Sequence, residues 1–97
     1  MSNTSKSAPI TITSEELRAQ VEQRIGRPVS DDVWKRSESY ARMKLDHCRE
    51  REPEITYYDD YYLALLTYDT VLETEYSDFT IADCERKMAA RAAEVNP

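Results

Sequence analysis

Few residues in this chain have the chemistry to catalyse a reaction. There is one histidine, His47, and there are two cysteines, Cys48 and Cys84. His47 and Cys48 are adjacent, and neighbours on a helix point about 100° apart, so they rarely share a ligand. No Cys-x-x-Cys or paired Cys and His spacing supports a metal. Two cysteines are also too few for a disulfide framework, and both read as reduced, partly buried side chains. Asp59 and Asp60 are the only adjacent carboxylates of the acidic region, but on a helix they diverge and cannot act together as acid and base. The Asp-x-Asn/Asp-x-Asn/Asp-Gly spacing of a calcium loop is missing, and the single glycine, Gly26, rules out a glycine-rich phosphate cradle. The expectation is a protein that is not an enzyme, with no catalytic residue, metal or cofactor.

Charge and aromatic content are the stronger signals. The net charge is −6, unevenly distributed. Residues 52–85 carry Glu52, Glu54, Asp59, Asp60, Asp69, Glu73, Glu75, Asp78, Asp83 and Glu85 without one Lys or Arg. Six of the seven tyrosines lie in the same stretch. Asp69 and Glu73 are like charges four residues apart, which costs a helix a few tenths of a kcal/mol, roughly. Such repulsion has a tertiary answer, with Arg42, Lys44, Arg49 or Arg51 lying alongside, or an external one, a basic partner drawn in by long-range attraction. Tyrosines suit the second, because each offers a large contact area with a polar tip.

The partner-binding residues expected on this basis are Asp59, Asp60, Glu73, Glu75, Asp78, Tyr57 and Tyr68. Asp69 is expected to point inward with the aromatic stripe. The expected partner is a basic protein surface. A sharper form is an inhibitor that occupies a nucleic-acid-binding protein, by analogy of size and charge alone with anti-CRISPR and anti-restriction proteins. The alternative is a homo-oligomer, a structural or regulatory helical module that self-associates through the exposed part of the tyrosine stripe. Direct nucleic-acid binding is disfavoured, because the cations of residues 31–51 alternate with acids at pairing distance.

All of this must be positioned by helices. Scarce glycine argues against a sheet with tight turns. No run of 18 apolar residues could cross a membrane, and no apolar core follows Lys6 to make a secretory signal, so a cytoplasmic protein is expected. The spacing predicts an all-α fold, a compact bundle of about four helices over 14–25, 31–51, 56–76 and 81–95, behind a flexible tail of residues 1–12. Residues 13–97 would form one helical domain.

The first helix has a capping box, Thr13-Ser14-Glu15-Glu16, an Ile12–Leu17 staple, a Leu17/Val21/Ile25 stripe and a Gly26 stop. The second is capped by Ser30 with Asp31 and Asp32 in its first turn, stapled by Val29 and Trp34, and striped by Val33, Trp34, Ser37, Tyr40, Ala41, Leu45 and Cys48. Asp31–Lys35, Asp32–Arg36 and Glu38–Arg42 are its expected pairs. In the third, Tyr58, Tyr61, Tyr62, Leu65, Leu72 and Tyr76 share one face, read as core. Thr80 is the expected N-cap of the fourth, with Asp83 at its third position and Phe79–Cys84 as staple. Ile81, Cys84, Met88, Ala92 and Val95 would form its packing edge.

Overall fold

A computed structural model of the chain describes residues 6–95. Three helices are present, α1 (Ser14–Ile25), α2 (Asp31–Arg51) and α3 (Asp60–Val95), and among the described residues there is no strand. The all-helical class is as expected; the count of four is corrected to three.

α1 begins as its sequence dictates. The Thr13 hydroxyl accepts from the Glu16 amide at 3.1 Å, and Glu16 Oε1 accepts from the Thr13 amide at 3.0 Å, closing the capping box. Gly26 ends the helix at φ 89°, a left-handed conformation that a side chain would strain. The Ser30 hydroxyl starts α2 by accepting from the Val33 amide. Asp32 and Glu38 pair with Arg36 and Arg42 as expected. Asp31 instead meets Arg18 of α1 at 3.0 Å, replacing the expected pair with Lys35.

α3 differs from expectation in two ways. Its start is Asp60, where Asp59 Oδ1 accepts from the Tyr62 amide at 3.0 Å and the Asp59 carbonyl takes the first helical bond. Residues 56–59 precede the helix. It then continues through Ser77-Asp78-Phe79-Thr80, where a break was expected. No Gly or Pro interrupts it there, and Thr80 satisfies its hydroxyl by donating to the Tyr76 carbonyl one turn back. Thr80 is therefore an interior residue, not a cap, and Phe79 and Cys84 form no staple because both are exposed. The Ala-rich sequence after it has high helix propensity.

The core is built from small and hydroxyl-bearing side chains where α2 meets α3. Ser37, Ala41 and Leu45 of α2 and Leu63, Thr67, Thr70 and Val71 of α3 are buried. The spacing 63, 67, 70, 71, 74 defines the inner face of α3. Ser37 donates to Thr74 across the interface at 3.2 Å, while Thr67 and Thr70 donate to the Leu63 and Leu66 carbonyls of their own helix at 2.7 Å. Leu17 and Val21 of α1, with Val29, Trp34 and Tyr58, the last an expected core residue, complete the buried cluster. The Trp34 ring N–H donates to the Ser14 hydroxyl at 3.2 Å.

The expected tail is hydrogen-bonded from Lys6 onward; residues 1–5 lie outside the described residues. The Lys6 amide donates to the Pro53 carbonyl, the buried Ser7 hydroxyl donates to the Ile55 carbonyl at 2.7 Å, and the Tyr58 amide donates back to Ser7 at 3.1 Å. Arg49 donates to the Ala8 carbonyl and to the Tyr58 carbonyl. The opposite end of α3 runs past the α1–α2 turn. The face that carries Leu63, Thr67, Thr70 and Thr74 continues there as Ile81, Cys84, Met88 and Ala92, all exposed. The expected packing edge thus has the right phase but no helix of this chain upon it; the side chain of Val95 lies outside the described residues.

Candidate functional site

The acidic, tyrosine-rich stretch divides into two populations once α3 is in place. Most of its carboxylates answer groups within the fold. Asp60 holds the extended segment before α1: Thr11 donates its amide to Oδ1 and its hydroxyl to Oδ2, both at 3.0 Å, and the Ile12 amide reaches Oδ1 at 3.4 Å. Asp59 caps α3. Glu75 receives both arms of Arg27, at 2.9 and 2.5 Å. Asp78 receives Arg36 at 3.2 and 2.5 Å, and Arg36 also bonds Asp32. The forked guanidinium contacts hold the Glu75 and Asp78 carboxyls below the usual carboxylate range. Glu52 accepts from the Tyr58 hydroxyl at 2.6 Å, which pushes that phenol up. Asp83 meets Arg86 and Lys87 of its own helix.

Part of the charge pattern, at Glu75 and Asp78, therefore has a tertiary answer, although from other cations than expected. Arg27, in the α1–α2 turn, and Arg36 supply it. Arg42 is occupied by Glu38 and the Ile12 carbonyl, and Arg49 by the backbone. Of the expected binding residues, Glu75 and Asp78 are engaged by these cations, and Asp59 and Asp60 by amide and hydroxyl donors.

A second population is free. Asp69 and Glu73 are exposed on α3 and make no hydrogen bond or ion pair among the described residues. Asp69 was expected inward; it points outward because the inner face is centred on Thr67, Thr70 and Thr74, on the other side of the helix. Glu73 opens onto the groove between α2 and α3, whose rim also carries Tyr40 and Lys44. Of the two expected tyrosines, Tyr57 is exposed with its ring 4.9 Å from Tyr58 and 5.8 Å from Tyr62. Tyr68 is half-buried under the Arg24 guanidinium, which lies 5.7 Å from the ring centre.

Sequence reasoning missed the face to which Asp69 belongs. Tyr61, Leu65, Tyr68, Leu72, Tyr76 and Phe79 recur every three or four residues, so at 3.6 residues per turn they form one stripe about 27 Å long. Most of these residues were read as core, yet they look away from α2. Leu72 is 37% exposed, Phe79 64%, Tyr61 66% and Tyr76 72%. A contiguous exposed apolar stripe is uncommon on a small monomeric chain, where exposed apolar residues are more often scattered singly. The signal was the periodicity itself, correct in spacing and assigned to the wrong side.

The edges of this stripe differ in charge. One carries Asp69 and Glu73. The other is α1, whose Arg24 lies over Tyr68 and has no carboxylate partner among the described residues, with Arg27 about two turns further along α3, paired with Glu75. Among the described residues no group of three or more His, Cys, Asp or Glu side chains could hold a metal, and no helix is long and apolar enough to cross a membrane. Comparison with protein families, with curated proteins and with solved structures finds no match to this chain.

Proposed function

We propose that this chain is a non-catalytic protein-binding module whose docking surface is the outward stripe of α3. The apolar centre is Leu72, Tyr76 and Phe79, and Asp69 and Glu73 select a partner with a basic edge. The observation that carries this reading is the coincidence of three exposed apolar side chains with two carboxylates that have no partner in the fold. Aromatic anchors beside unpaired charge supply contact area and orientation together. An inhibitor that imitates nucleic acid is a narrower form of the same reading. It is less favoured, because the ion pairs of Glu75, Asp78 and Asp83 neutralise three of the ten carboxylates that such imitation would present.

The test is affinity capture with the tagged full chain from its native host, eluted by a salt gradient. Tyr76→Asp with Phe79→Asp should abolish capture, and Asp69→Lys with Glu73→Lys should move elution to lower salt. Equal capture by both pairs of variants would refute the docking face. Glu75 and Asp78 are unsuitable for this test, because their reversal would disturb the fold.

A further inference from the structure

We infer that the partner of this face is a second copy of the chain, docked with the two α3 helices parallel. The inference rests on the proposed docking surface and names its occupant. The two edges of the stripe are complementary in charge. Asp69 and Glu73 line one edge of the stripe and Arg24, which has no carboxylate partner among the described residues, lies on the other, so each molecule carries both halves of the match. A two-fold axis parallel to the helices brings opposite edges together, the acid edge of each copy against the basic edge of its mate. A two-fold axis across the helices brings like edges together, acid to acid and arginine to arginine. Charge therefore selects the parallel arrangement.

The levels along the helix agree. Asp69 is one residue, about 1.5 Å, beyond Tyr68, and Arg24 lies over the Tyr68 ring. In parallel register, Asp69 of one copy comes level with Arg24 of the other. Asp69 and Arg24 are charged groups of this face without an ion pair in the single chain, and they are the two that the arrangement joins. A close symmetric contact repeats this pair twice.

The overhang of α3 points the same way. Beyond Ile81 the helix has no neighbouring helix, and an isolated helix of about 12–15 residues is marginal in water even with Ala-rich sequence. Parallel docking through Leu72, Tyr76 and Phe79 lays the two overhangs side by side, with Ala90 on the same face as Leu72 and Phe79, five turns and about three turns along, by the helical repeat. Each overhang then gains the packing that the single chain does not give it.

Sedimentation equilibrium of the full chain from about 1 to 500 µM tests this, because self-association must follow mass action. The wild type should form a dimer, and Tyr76→Asp with Phe79→Asp should be a monomer with an unchanged melting temperature at the dilute end. Asp69→Arg and Arg24→Glu should each weaken dimerisation about tenfold or more by setting like charges together. The double variant carrying both changes should dimerise again, as should an equimolar mixture of the two single variants. Both exchanged residues are exposed, so the fold survives and is checked by circular dichroism. A wild type that stays monomeric throughout overturns the second copy as partner. So does an Asp69→Arg variant that dimerises undiminished, the outcome of antiparallel docking, or a double variant that fails to recover. If the chain is monomeric while Tyr76→Asp with Phe79→Asp still abolishes capture of another protein, the occupant is wrong and the docking face stands.

Discussion

Leu63 and Leu72 sit on opposite faces of α3, and exchanging each for alanine measures which face is the core. Leu63 is fully buried, at 0% exposure, among Ala41, Leu45 and Val71. Removing three carbons there forfeits their transfer from water and leaves a cavity, a cost of about 2–5 kcal/mol. Leu72 is 37% exposed, so its truncation opens no enclosed void and costs about 1 kcal/mol, the partial burial of a side chain worth 1.5–3 kcal/mol when fully covered. For a domain of this size each kcal/mol moves the melting temperature by about 4–8 °C. Leu63→Ala should therefore melt at least about 8 °C lower than the wild type, and Leu72→Ala within roughly 8 °C of it. Circular dichroism at 222 nm during heating reads both, at a concentration of about 5 µM to keep self-association out of the comparison. If Leu72→Ala is as destabilising as Leu63→Ala, the outward stripe is a core face and the docking surface disappears with it.

Further outcomes follow from the polar contacts. Glu75 and Asp78 titrate below the unfolded carboxylate range, so their contribution is complete above about pH 5 and lost as pH falls through their lowered values. Stability should thus decline in acid, and Glu75→Gln with Asp78→Asn should flatten that decline in melts between about pH 2 and 5. Asp60→Ala removes the acceptor for Thr11 and Ile12. Hydrogen exchange at these two amides should accelerate, while α2 amides at Ala41 and Leu45 keep their protection. Thr13→Ala removes the hydroxyl that accepts from the Glu16 amide, leaves the residue-13 amide free to donate to Glu16 Oε1, and should cost about 1 kcal/mol, read by urea unfolding.

How much of this was legible in the sequence depended on which physical signal each element used. The ends of α1 and the start of α2 are local chemistry: Thr13 with Glu16, Gly26 and Ser30 act within a few residues, and they stand where their spacing places them. The start of α3 was set by the Asp59 cap rather than by tyrosine content, so it falls later than residue 56. The expected break at Ser77–Thr80 rested on residues that also sit comfortably inside a helix when their side chains bond one turn back or reach a neighbour, as Thr80 and Asp78 do. The face of α3 was inverted because its inner side carries Thr67, Thr70 and Thr74, which a hydrophobicity pattern scores as polar. Small residues on α2, Ser37 and Ala41, make that hydroxyl-bearing face a good fit. Of the expected binding residues, Glu73 and Tyr57 lie open to solvent. Asp60, Glu75 and Asp78 are occupied by partners 42 to 49 residues away in sequence, a relation that no local pattern reveals.

The single unbroken α3 also orders the molecule along its length. Lys6 is held near Pro53, beside the beginning of α3, while Val95 ends that helix at the far extreme of a body 67 Å long. One dye placed near each of these residues would make the chain its own optical ruler. Energy transfer between them would report bending of α3 at Ser77–Thr80 in a single molecule. Between two singly labelled molecules, it would separate like ends meeting from unlike ends meeting without any need for a crystal.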